Sequence, residues 1–219
     1  MFDKPNEELP PVLQVALHYA PSGVLGYFEN FFNLDAVFLR IIGTIKEPFL
    51  AQLRLAWWRD ELGKAAAPES ERTPLLRGAR ALWGAPATPL VELVNGWEHL
   101  VDPPIKPNAI EPFCAGREAV ASALADRAGH PNAAEAARLA ARRWSLADLA
   151  CLASDSDVQR LALKEAETLP VRRVRLPRAL RPLAVLDVLA RRSLAAGGTP
   201  LMWDRSGIAV AFRAGLIGR

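Results

Sequence analysis

Carboxylates four residues apart on a helix share one face, and two such rows facing each other can grip a hard divalent cation through oxygen. In this 219-residue chain the spacing occurs at Asp3/Glu7, across Pro5, and at Glu98/Asp102, just before Pro103. Neither pair has a facing row, and Glu98/Asp102 reads as a solvated helix terminus, so no metal site is expected. His18, His99 and His130 stand far apart, with no Ser, Cys or second His at catalytic spacing, and read as packing or surface residues. Cys114 and Cys151 are flanked by apolar residues without a basic neighbour that would form a thiolate, which predicts buried, inert thiols in a reduced protein. The densest charge is PVRRVRLPRALRP, which with Arg191 and Arg192 places seven arginines between Arg172 and Arg192. Such a cluster attracts anionic lipid headgroups, a diphosphate or nucleic acid. No aromatic residues interleave it for base stacking, which weighs against nucleic acid.

The elements that position these groups read as helical. The chain is 51% hydrophobic, rich in Ala, Leu and Arg, and has no extended apolar–polar alternation. An all-α fold in a single domain spanning 1–219 follows. The net charge is only +3 although the pI is about 9.1, so any basic surface comes from local clustering. The N-terminal MFDKPNEELPP lacks the basic and apolar regions of a secretory signal. No run reaches the roughly 18 apolar residues of a membrane span. A cytoplasmic location is expected.

VLQVALHYA predicts a short helix ending at Pro21. A second helix, Val24–Ile42, is apolar nearly all round, which suits the centre of a bundle. Glu47 and Pro48 open a third, running to about Ala66 and carrying QLRLAWWRDEL. On it Leu50, Leu53 and Trp57 form one stripe, and Asp60 and Lys64 an i,i+4 ion pair. Adjacent residues diverge by about 100° on a helix, so Trp57 and Trp58 are both expected to be buried, against different neighbours, with Asp35 paired to Arg54 or Arg59. AAAPESERTP reads as a loop. Further helices are predicted over 72–83, 89–101, 109–129, 132–153, 155–168, 178–195 and 206–216.

The runs HYAP, FFNLDAVFLRIIGTIKEP and QLRLAWWRDEL, followed by GWEHLVDPP, IEPFCAGREAV and RVRLP, resemble the squalene/phytoene synthase family over about two-thirds of the chain. The resemblance implies an isoprenoid-synthase helical bundle around a central apolar cavity for prenyl chains. It also implies head-to-head joining of two prenyl diphosphates, with Mg²⁺ held by aspartates from two motifs on facing helices.

The chain departs from that pattern at the metal-binding positions. Phe38, Leu39 and Ile42 stand where the first motif has aspartates. In RRWSLADLACLASDSD, Ser145, Leu146, Ala147 and Asp148 occupy the second motif, with Leu152 and Ser156 in its aspartate places; Asp155 and Asp157, two apart, point to different sides of a helix. The expected function is therefore non-catalytic, a prenyl-lipid-binding or assembly role without cofactor, and NLDAVFLR with RLAWWRD is similar to the branch that includes assembly factors for respiratory complex I. Expected ligand-binding residues are Arg40, Lys46, Arg54, Trp57, Trp58, Arg59 and Arg175, with a prenyl lipid, a prenyl diphosphate or a protein as partner. The alternative is an active prenyltransferase using Asp35, Asp60, Glu61 and Asp148 with Mg²⁺. A third class, a scaffold in peripheral contact with the inner membrane face through the arginine-rich segment, needs no pocket.

Overall fold

A computed structural model describes residues 9–65, 73–102, 104–153, 156–202 and 205–217. Asp3, Glu7, Asp155 and most of the AAAPESERTP loop lie outside them. Among the described residues the chain is all helical: α1 (Pro11–Leu17), α2 (Ser22–Thr44), α3 (Pro48–Gly63), α4 (Pro74–Trp83), α5 (Thr88–Glu98), α6 (Ile110–Arg127), α7 (Ala134–Leu152), α8 (Ser156–Glu167), α9 (Arg181–Ala195) and α10 (Arg205–Ile217). Proline in the first turn opens α1, α3, α4, α5 and α9, where its missing N–H costs nothing. None of these helices is long and apolar enough to cross a membrane.

The helices α5, α6, α7, α9 and α10 pack side by side in that order. The helix α2 runs against α1, α3, α4, α5 and α6, the central position its apolar surface requires. The helices α5 and α6 approach backbone to backbone: a Cβ on Gly116 would stand 2.7 Å from the Glu92 carbonyl oxygen, and one on Gly96 2.9 Å from that of Pro112. That approach lets Trp97 and Phe113 meet edge to face at 4.9 Å. Where α2, α5, α6 and α7 converge, the space is filled by the fully buried rings of Phe31, Phe32, Trp97, Phe113 and Trp144.

Helix α3 packs differently from expectation. Its buried stripe is Ala51, Leu55, Trp58 and Leu62, with Trp58 in ring contact with Phe38 of α2 at 5.9 Å. The expected stripe of Leu50, Leu53 and Trp57 faces solvent instead, exposed by 45%, 58% and 40%, and Phe49 beside it is exposed by 75%. The helix carries apolar residues on opposite faces, and α2, α4 and α5 cover only one of them. The tryptophans therefore divide into one core residue and one surface residue. Asp60 does not pair with Lys64, which bonds Glu61 instead, while Asp60 approaches Arg59 at 3.6 Å.

Candidate functional site

Two of the acidic residues of the bundle, Asp35 and Asp148, are gathered by one arginine. Arg117 lies one turn after Phe113 and one turn before Val120 and Ala121, on the core-facing stripe of α6. Its Nε donates to Asp35 Oδ1 at 3.0 Å and its Nη2 to Asp35 Oδ2 at 2.8 Å, a bidentate pair across α2 and α6. Its remaining nitrogen, Nη1, donates to Asp148 Oδ2 of α7 at 2.6 Å. Trp97 Nε1 of α5 completes the cluster by donating to Asp35 Oδ1 at 2.9 Å. The guanidinium carbon sits 3.8 Å from the ring centroid of Trp144 and 4.7 Å from that of Phe113, so the charge is enclosed by aromatic rings as well as carboxylates.

Burial works against the charge on Arg117, but Asp35 and Asp148 outweigh it and hold its pKa above the ordinary value. Two carboxylates face one guanidinium. Burial pushes the Asp148 carboxyl above its usual range, Asp35 adds to the shift, and Arg117 opposes it. The Asp148 side chain retains 21% exposure, against 2% for Arg117 and 4% for Asp35.

This donor set does not fit magnesium. Both oxygens of Asp35 already accept charged hydrogen bonds, Asp148 is bound by the same guanidinium, and a divalent cation beside them would meet the buried positive charge of Arg117. The other two members of the acidic set lie elsewhere. Asp60 is on the outer side of α3 with a 68% exposed side chain. Glu61 bonds Lys64, and its carbonyl accepts from Arg80 Nη2 at 2.7 Å. Of the four carboxylates only Asp35 and Asp148 come together, and what joins them is a cation of the protein itself.

The expected pairing of Asp35 with Arg54 or Arg59 does not occur among the bonds that define its site. Arg59 is turned instead toward α5, where Nη1 reaches both carboxylate oxygens of Glu98 at 2.9 and 2.8 Å. Arg54 and Trp57 are on the exposed side of α3 and Trp58 is inside. Arg40 is half-buried on α2. Lys46 borders a cavity of about 180 Å³ at the α2–α3 turn, with Ile42, Ile45, Pro48 and Leu152. Arg175 lies by a separate cavity beside α7. The seven expected ligand-binding residues thus do not form one site.

Arg117, Trp97 and Trp144 were not singled out by the sequence reading. The available signal was Arg117 itself, a lone charge in register with the apolar positions of IEPFCAGREAV. A second buried pair has the same character: Arg143 of α7 donates to Asp187 Oδ1 of α9 at 2.7 Å. Asp187 Oδ2 is buried without a hydrogen-bond partner, and burial pushes this carboxyl up against the opposing pull of Arg143. Cys114 is buried, as expected, but Cys151 is exposed, in the last turn of α7. The histidines His18, His99 and His130 all lie at the surface. Compared with family models, curated proteins and solved structures, the chain matches none.

Proposed function

We propose that the protein is a non-catalytic helical protein of squalene/phytoene synthase-like descent, acting in prenyl-lipid binding or assembly rather than in prenyl transfer. The observation that carries this reading is the clamp of Arg117 on Asp35 and Asp148. Ionising an allylic diphosphate needs concentrated positive charge opposite the leaving group, which magnesium supplies only where free oxygen ligands converge. The carboxylates best placed by sequence to do so are consumed by a buried guanidinium instead.

The isoprenoid-synthase arrangement itself is part of the proposal. In it, the volume that would hold prenyl chains has contracted onto the rings of Phe31, Phe32 and Trp144. Apolar contact then passes to the surface. Phe49, Leu50, Leu53 and Trp57 form an exposed helix face that begins beside the cavity bordered by Lys46 and Leu152. This face favours an apolar partner over chemistry on a soluble substrate.

The test is incubation of the purified chain with farnesyl and geranylgeranyl diphosphate and Mg²⁺. No pyrophosphate release and no coupled product are expected, while tryptophan emission shifts on binding of the prenyl ligand. Metal-dependent pyrophosphate release that disappears in a folded Asp148→Asn variant would establish the prenyltransferase alternative.

A further inference from the structure

Beyond helix α8, burial alternates from residue 173 to 176: Val174 and Leu176 turn inward, Arg173 and Arg175 outward. Residues two apart on an extended segment project from one side, about 6.6 Å from each other along the chain. The segment is fixed from within. Buried Arg143 donates to the carbonyls of Pro170 and Arg172, the second at 3.0 Å, while Asp187 holds the same guanidinium from behind. The two outward arginines therefore stand on an anchored backbone rather than on a loose loop.

Arg172, Arg173 and Arg175 border a cavity of about 830 Å³ together with Glu135, Ala136 and Leu139 of α7. Glu135 lies 3.8 Å from Arg172, so it offsets that one arginine, and both side chains are largely exposed. Arg173 and Arg175 form no ion pair among the described residues. The cavity is thus left with an excess of two guanidinium groups. Guanidinium forks match phosphate oxygens in geometry as well as charge.

We propose that this cleft is a phosphate-binding site, with Arg173 and Arg175 as the donors and Ala136 and Leu139 of α7 receiving the part of the ligand next to the phosphate. The phosphate belongs either to a soluble phosphate ester or to a phospholipid headgroup. The cleft is separate from the position of the second aspartate motif: Glu135 and Asp148 stand near opposite ends of α7, about 20 Å apart by helical rise. The site does not depend on the non-catalytic reading, since it uses none of the residues around Arg117.

The full chain is titrated with inorganic pyrophosphate by calorimetry and, separately, co-sedimented with phosphatidylcholine vesicles with and without phosphatidylglycerol. Arg173→Gln/Arg175→Gln is compared with the charge-matched Arg77→Gln/Arg213→Gln, which alters exposed arginines on α4 and α10. All four side chains are exposed, so wild-type melting is expected throughout, and Arg175→Gln alone provides a milder variant. Binding in at least one arm, weakened on the order of tenfold or more by the cleft substitutions and unchanged by the control pair, supports the site. Pyrophosphate binding identifies a soluble ligand, and binding to phosphatidylglycerol vesicles alone identifies a headgroup. No wild-type binding in either arm, or equal loss in the cleft and control variants, overturns the proposal, the second outcome because it reports only general charge attraction.

Discussion

Replacing Arg117 with methionine keeps an unbranched stem among Trp97, Phe113 and Trp144 but deletes the cation shared by Asp35 and Asp148. Removing one partner of a buried ion pair costs about 3–5 kcal/mol, because the other charge stays buried. Two carboxylates lose their partner here, which pushes toward the upper end. The indole of Trp97 still donates to Asp35, and Asp148 keeps 21% exposure, both of which soften the loss. A value of about 4 kcal/mol is expected. With each kcal/mol worth about 2–4 °C in a chain of this size, the melting temperature should fall by about 8–16 °C. Urea titration followed by helical circular dichroism and tryptophan emission measures it. The deficit should shrink on acidification, because burial holds the Asp148 carboxyl above its usual range, so without the opposing Arg117 it gains a proton first in the folded chain. The triple change Asp35→Leu/Arg117→Met/Asp148→Leu should recover most of the loss, since removing every charge removes the desolvation cost, less about 1 kcal/mol for the unpaired Trp97 N–H. A single-variant loss under about 1 kcal/mol would show that the cluster is well solvated and refute the reasoning. So would a triple variant no more stable than Arg117→Met.

The neighbouring tryptophans should differ sharply. Trp58→Ala is expected to cost about 3–5 kcal/mol, whereas Trp57→Ala, already 40% exposed, should cost about 1, and equal losses in urea would contradict the orientation of α3. A maleimide should modify Cys151 in the native chain but reach Cys114, whose thiol burial pushes up to about 12, only after unfolding; two labels on native protein by mass spectrometry would refute this. Because burial raises the folded pKa of Asp187, its favourable contribution is full below the ordinary carboxylate range near 4 and is lost as pH rises through the raised value. The stability of the wild type relative to Asp187→Asn should therefore decline as pH rises above the ordinary carboxylate range in parallel urea titrations, and a flat or rising difference would exclude the shift.

The helices were legible because prolines and glycines punctuate a strongly apolar sequence, and the observed ends of α2, α5, α6, α7 and α9 fall close to those the pattern predicts. Which face of a helix is buried was legible only where a single face is apolar. On α3 both faces are, so the sequence pattern is nearly symmetric, and the choice is made by α2 and α5, which sequence spacing does not place. That is why Trp58 entered the core and Trp57 did not, and why Asp60 and Glu61, two and three positions on, are carried away from Asp35. The partner of Asp35 was hidden for a related reason. Arg54 and Arg59 are near in sequence, but Arg117, 82 positions away, is the arginine on a stripe that must face inward. An isolated charge in register with apolar residues thus carries more positional information than a charge nearby in the chain. The cluster it forms adds little net stability, since apolar side chains of similar volume would pack as well without desolvation cost. Its effect is on register. Sliding α2 by one turn would keep its phenylalanines against apolar neighbours but strand Asp35 away from both Arg117 and Trp97, so the rings drive the packing while the ion cluster selects one arrangement among those the rings allow.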